Sequence, residues 1–475
     1  MYKKFLLLIL SLFVFLSCNG QKKSEVDLTT KDNDISIDFK DKNPDSELTE
    51  IVETVSPYEK AIDEYVDSLS LEEKIGQMFL ITIGGTVFSD SYYDVNSFVA
   101  PGGYLLFAYN FVDAKQSIDF ISDVRNWYAK NNFIRPYFSV DQEGGLVNRL
   151  RNIASSLPSA NSVSKFLNED LAKKLYETAG KQISALGIDV NLGPVIEVLT
   201  DENESFLGTR SFGDYSKVSI YSEIFIEAMK ENSVLPVVKH FPGNNADDPH
   251  LGLPIIDFSH EKTVDILIKP FKNLKNKDDV GVLVAHSVVP SLFDKKALIS
   301  ENFDATKDFL KNDGVVNSIM NEATLETEPL PSCLSKTVVT EILQNKLGFS
   351  GLIFSDDLLM AALQNSGFDS ETAITMAIKA GVNVLMISQK EYMPFILFLA
   401  EATKTDSDLL NQINESVKKI IDFKVQHNML NFNDNKIELI PEMSELELIE
   451  FQNAKYSEFL EAFKEGDEFY HKYWG

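Results

Sequence analysis

Eight short apolar runs, rich in β-branched and aromatic residues, recur along the chain at 78–83, 103–107, 136–140, 189–195, 234–238, 280–285, 351–354 and 382–387, with helical stretches between them. Runs that are apolar throughout mark strands buried on both faces, and strands that alternate with helices pair in parallel. Eight such units in about 350 residues fit a (β/α)8 TIM barrel, typically about 250 residues long before insertions. An open doubly wound sheet is the competing arrangement. It would usually carry a Gly-rich turn after its first strand, and Ile83-Gly84-Gly85-Thr86 echoes that only weakly. The expected fold class is therefore α/β, with one barrel domain over 58–430.

Polar residues cluster where these runs end. Asp141-Gln142-Glu143 follows the third, Lys239-His240 the fifth, His286 the sixth and Ser355-Asp356-Asp357 the seventh. In a barrel those positions share the C-terminal face, where the chemistry of such folds sits. One polar group there is readily a strand cap; four clusters converging on one face call for a site.

Outside the barrel the chain changes character. Lys3 and Lys4 precede an apolar run, 5–16, too short to span a bilayer comfortably. It ends in Phe15-Leu16-Ser17-Cys18, which resembles a bacterial lipoprotein signal, with Phe15 where Leu is usual. The expectation is a signal over 1–17, lipid attachment at Cys18 and export to the cell envelope, anchored to the membrane. Residues 18–57 are rich in Asp, Glu, Lys, Ser and Thr and read as a solvated tether. The stretch 293–331 is long for a barrel loop and reads as an insertion near the sixth strand. Residues 431–475 read as a helical extension, with Leu446, Ile449, Phe459 and Phe463 at helical spacing. Ser70-Leu71-Glu72-Glu73 has the form of a capping box opening a helix.

With 44% hydrophobic residues the chain can build a large core, and a net charge of −28 disfavours nucleic acid as a partner. Cys333 is the one cysteine besides Cys18, so with Cys18 acylated no internal disulfide is expected. Six scattered histidines and no paired cysteines give no zinc pattern, and neither metal nor cofactor is expected.

Four motifs define the chemistry. They are Lys239-His240-Phe241-Pro242-Gly243 followed by Asp248-Pro249-His250; Gly348-Phe349-Ser350-Gly351-Leu352-Ile353-Phe354-Ser355-Asp356-Asp357; Val140-Asp141-Gln142-Glu143-Gly144-Gly145; and Gly208-Thr209-Arg210-Ser211-Phe212-Gly213. Together they resemble the β-N-acetylglucosaminidase branch of glycoside hydrolase family 3, over about 71–430. The resemblance implies that Asp356 is the nucleophile, attacking the anomeric carbon to form a glycosyl-enzyme with net retention. It implies that His250, backed by Asp248, supplies the acid/base in place of a second carboxylate. A histidine with a pKa near ~6.5 can donate and retake a proton near neutrality, and a carboxylate on its other ring nitrogen would set its tautomer. Asp141, Arg149, Arg210, Lys239 and His240 match the family's sugar ligands.

Three departures stand out. Asn244 and Asn245 occupy positions where the family commonly has His and Gly, and only the four residues 244–247 separate Gly243 from Asp248, two fewer than usual. Asp247 thus competes with Asp248 as the orienting acid. Leu146 and Glu197 stand where Arg and Asp are common. The implied partner is a carbohydrate, a terminal β-linked N-acetylglucosamine of a cell-wall muropeptide or chitin fragment, handled by a monomer. Other readings stay open: a β-glucosidase or other exo-β-glycosidase of the same family, phosphorolysis in place of hydrolysis, and a catalytically weak carbohydrate-binding surface lipoprotein.

Overall fold

The computed structural model describes residues 56–89, 94–95, 97–248, 251–275, 277–293 and 329–474. Eight parallel strands form the central sheet: β1 (Phe79–Thr82), β2 (Gly103–Leu106), β3 (Tyr137–Val140), β6 (Val190–Asn191), β7 (Leu235–Phe241), β8 (Gly281–Val284), β9 (Ile353–Ser355) and β10 (Leu385–Ile387). Between β3 and β6 lies a small antiparallel hairpin, β4 (Gln142–Gly144) and β5 (Val147–Asn148). The barrel order is β10-β1-β2-β3-β6-β7-β8-β9. A parallel bridge between Phe354 and Val384 joins β9 back to the start of β10, which closes the ring. Helices pack around it, giving the expected (β/α)8 barrel.

Local chemistry explains where the helices begin. Ser70 and Glu73 form the capping box read from the sequence, each side chain bonding the other's backbone N–H. Asp113, Ser159, Asn168, Asp214, Asp369 and Asp406 each accept a first-turn N–H from the helix they precede. Each such cap stabilises by about 1 kcal/mol. The core is continuous, running from Phe79, Leu106, Phe138 and Val238 in the strands to Ile183, Phe225, Ile342 and Ile420 in the helices.

Several strand boundaries differ from the sequence reading, and two of the differences bear on the site. The fourth run was read as 189–195, yet pairing stops at Asn191. There the Asn191 side chain takes over, accepting from the Gln142 N–H and donating to its carbonyl, and Pro194 has no N–H to offer a ladder. The chain rejoins the sheet only at the bridge from Val195 to Lys239. The fifth run was read as 234–238, yet β7 continues to Phe241, so Lys239 and His240 belong to the strand itself. The segment after 430 also differs from an all-helical reading. A hairpin, β11 (Leu430–Asn433) and β12 (Lys436–Leu439), precedes the helix Glu445–Tyr473. Its two-residue turn is Asp434-Asn435, both at positive φ (48° and 60°), the conformation that tight hairpins require.

The N-terminal end of the barrel is closed by polar contacts. Asp189 pairs with Arg125 and accepts the Phe138 N–H. Lys424, fully buried, donates to Gln77 Oε1 at 2.6 Å and to the Arg135 carbonyl at 3.0 Å. Burial pushes the Lys424 ammonium down to about 7.

Candidate active site

The mouth at the opposite end gathers the charged residues named from the sequence. Asp141 leaves β3 and the β4–β5 hairpin folds directly behind it. The turn is possible because Gly144 and Gly145 take φ of 97° and 58°, and because a Cβ on Gly144 would lie 2.3 Å from the Pro158 carbonyl oxygen. The hairpin buries Glu143 against the mouth, where it meets two cations. Arg210 binds it with both ends of the guanidinium, each contact 2.9 Å, and Lys239 Nζ approaches it at 2.7 Å. Lys239 also donates to Asp141 at 2.7 Å. Arg149 lies 3.7 Å from the other Asp141 oxygen and over the ring of Phe107.

A bulge between Lys239 and Phe241 breaks the alternation of β7 against β8, which lets the consecutive Lys239 and His240 both find charged partners. His240 Nδ1 donates to Glu197 Oε1 at 2.6 Å, leaving Nε2 3.5 Å from Arg210. Glu197 Oε2 accepts the Asn244 N–H, and the Asn244 amide donates to the same carboxylate at 3.2 Å. Two departures from the family pattern therefore touch each other: Glu197 is the support of Asn244 at the root of the shortened loop.

Electrostatics follow from this packing. Burial alone would raise Glu143, but Lys239 and Arg210 outweigh it and bring its carboxyl down to about 2. Burial alone would lower Lys239, but Asp141 and Glu143 hold it charged, above its usual range. The floor is thus a fixed alternation of charges with donors and acceptors aimed into one mouth.

Asp356 follows β9. Its N–H donates to the Val284 carbonyl, and its Oδ1 accepts the Asp357 N–H at 2.8 Å. The next helix begins only at Ala361, with Met360 as its N-cap, so Asp356 caps no helix. Asp357 is held by the backbone instead, accepting from Leu359 and Ser388 N–H groups at 3.1 and 3.2 Å. Burial opposes ionisation of Asp356, yet His286, His240, the Asp357 N–H and Lys239 together keep its carboxyl below the ordinary range. That is the charge state a carboxylate nucleophile requires.

The loop after β7 is partly described. Asp248 opens a turn, its carbonyl accepting from Leu251 and Gly252. Asp247, the competing acid, is tied to Asn245, whose amide donates to it and to the Ile255 carbonyl. His250 lies outside the described residues, as do Cys18, most of the tether and 294–328 of the insertion. Among the described residues no three His, Cys, Asp or Glu side chains are grouped to hold a metal ion.

Sequence reasoning named Asp141, Arg149, Arg210, Lys239, His240 and Asp356, and the structure brings all six to one face. It gave no role to Glu143 or Cys333, although Glu143 lay within a quoted motif. Nor did it single out Phe107 and Tyr109, whose stacked rings stand at the rim with Tyr109 exposed.

A closed parallel barrel with ionised carboxylates and paired cations at its C-terminal mouth is the arrangement of a glycoside hydrolase. The chain belongs to glycosyl hydrolase family 3: residues 70–423 match the model of the Glycosyl hydrolase family 3 N terminal domain. It is 28% identical over 342 residues to a beta-hexosaminidase of Idiomarina loihiensis, covering 70% of this chain and 91% of that relative. It is 28% identical over 296 residues to the beta-hexosaminidase LpqI of Mycobacterium tuberculosis, covering 60% and 67%. In fold it is similar to a family 3 beta-N-acetylglucosaminidase from Paenibacillus, with a TM-score of 0.63 at 21% identity over 82% of this chain and 69% of that one.

Proposed function

We propose that this glycoside hydrolase is a retaining, exo-acting β-N-acetylglucosaminidase that removes terminal β-linked N-acetylglucosamine from cell-wall muropeptides or chitin fragments. The observation that carries the reading is the ionised, backbone-anchored Asp356 facing a floor built from Asp141, Lys239, Arg210 and His240. The names of the relatives favour a hexosamine over glucose.

In the first step an Asp356 oxygen forms a bond to the anomeric carbon as the bond from that carbon to the leaving oxygen breaks. His250 gives the leaving oxygen its proton. In the second, His250 takes a proton from water, the water oxygen bonds to the anomeric carbon, and the Asp356 ester bond breaks. The carboxylate and the imidazolium are both restored to their starting forms, and two inversions give net retention. Asp141, Lys239, Arg210 and His240 hold the hydroxyls and the acetamido arm, and a sugar that fails to pair them pays the cost of unpaired buried donors. Cys18 is proposed as the lipid attachment that keeps the enzyme on the envelope, where such fragments arise.

The test is hydrolysis of an aryl β-N-acetylglucosaminide beside the matching aryl β-glucoside. Preference for the first supports the reading. Preference for the glucoside, or turnover that depends on added phosphate, replaces it with another activity of the family; no turnover of either by folded protein favours a binding role.

A further inference from the structure

His286 sits at the end of β8 with only 1% of its surface exposed. Its Nε2 lies 2.9 Å from the carbonyl oxygen of Asp357. A carbonyl can only accept, so this nitrogen carries the proton and donates. Its Nδ1 lies 3.1 Å from the Sγ of Cys333, which is completely buried. In the Nε2–H tautomer the Nδ1 lone pair faces Sγ, and the thiol S–H is the donor that meets it. Burial, reinforced by the charge of Asp356, pushes the Cys333 thiol far up, so it keeps that hydrogen.

Cys333 is itself fixed. Its N–H donates to the Ala285 carbonyl, and the preceding Ser332 donates through both N–H and Oγ to the Ser287 carbonyl. Ser287 Oγ in turn donates to the Gly243 carbonyl, at the root of the β7 loop. The chain returning from the insertion is therefore bonded to the end of β8, and a single ring connects it to the residue after the nucleophile. Among the described residues, Cys333 of the returning segment and the Asp357 carbonyl contact this ring, and Asp356, which follows β9, interacts electrostatically with it and with His240 and Lys239 of β7.

Resting on the proposed glycosidase reading, we infer that His286 is a positioning residue for the nucleophile. By gripping the Asp357 carbonyl it sets the tilt of the Asp356–Asp357 segment, and the Cys333 thiol fixes the ring in the tautomer that can do so. Asp356 is oriented by the Asp357 N–H, so the tilt decides where its free oxygen points.

The test compares His286→Ala with His286→Gln and Cys333→Ala with Cys333→Ser in the full chain. A glutamine amide nitrogen can occupy the place of Nε2 and restore the donor; alanine cannot. A small displacement of a reacting group costs up to about 100-fold in rate. We expect kcat of His286→Ala on the aryl β-N-acetylglucosaminide to fall about 10- to 100-fold with KM within about twofold. The acidic limb of its kcat/KM profile should move up, as Asp356 loses the Asp357 N–H. His286→Gln should recover most of both. Cys333→Ala should lose a smaller part of kcat, about three- to tenfold, and Cys333→Ser should stay near the parent. Equal losses in His286→Ala and His286→Gln, a loss confined to KM, or an acidic limb raised alike in both variants would overturn the inference. The 13C carboxyl titration of Asp356, assigned with Asp356→Asn, is read without any substrate. If the parent hydrolyses neither sugar, that titration still decides: a rise in His286→Ala reversed in His286→Gln supports the positioning role, and no change sinks it. Should His286→Ala not fold, His286→Gln and the Cys333 pair carry the same comparison.

Discussion

Glu143 is gripped by Arg210 through Nε and Nη2 at 2.9 Å each, and its Oε1 also meets the Lys239 ammonium at 2.7 Å. It is buried and holds the two cations that the family resemblance assigns to the sugar. Removing one member of a buried ionic set leaves the others uncompensated, which typically costs about 3–5 kcal/mol. Glu143→Gln should therefore lower stability by roughly that amount and weaken sugar binding as Lys239 and Arg210 relax, read by urea unfolding and by KM. The pH dependence has a definite sign. The carboxyl is depressed in the fold to about 2, so its stabilisation is complete above the unfolded value near ~4.3 and is lost as pH falls from there toward about 2. The gap between parent and Glu143→Gln should narrow over that window.

Asp356→Asn keeps the shape of the side chain and removes the nucleophile. Turnover should fall by at least about 10⁴-fold, while the melting temperature stays within a few degrees of the parent. Retained activity near the parent level would remove Asp356 from the chemistry.

His250→Ala should slow substrates with poor leaving groups far more than activated aryl glycosides, because only the former need a proton delivered as the bond breaks. The measurement is kcat/KM across aryl glycosides of graded leaving-group acidity. Parallel losses across the series would count against His250 as the acid.

Lys424 gives a second pH test, of the same sign but in a higher pH window and at the other end of the barrel. Its ammonium is brought by burial to about 7 in the fold, against about 10.4 when unfolded. Between those values the unfolded chain binds the extra proton, so the burial penalty is full below about pH 7 and is relieved as pH rises toward 10. The stability of the parent relative to Lys424→Met should accordingly rise across that range, measured by unfolding at matched ionic strength.

The barrel was legible because its eight strands are apolar on both faces, a pattern only a helix-wrapped parallel sheet explains. The site was legible where a motif fell at a strand end, as Asp141 and Asp356 do. What escaped is long-range pairing. Nothing near Cys333 in sequence points to His286, 47 positions away, and Glu197 reads as a departure until Asn244 is found against it. The early end of β6 escaped for a different reason: Asn191 has ordinary strand surroundings, and only the approach of Gln142 turns its side chain into a substitute for the ladder. The hairpin after 430 was hidden because Asp434-Asn435 reads equally well as a loop between helices.

The side chain of Gln182 accepts the Ser155 N–H at 2.8 Å and donates to Ser155 Oγ at 2.7 Å, and the carbonyl of Ala462 in the last helix meets the same amide at 3.3 Å. Gly466 of that helix presses so close that a Cβ there would lie 2.2 Å from Ser155 Oγ. Ser155 belongs to the stretch that follows the hairpin carrying Glu143, so the seat of the pocket floor is partly made from residues beyond the 70–423 that match the family. Anyone trimming this enzyme to its family boundary for expression, or transplanting its mouth onto a relative, would be cutting through a joint and not through a seam.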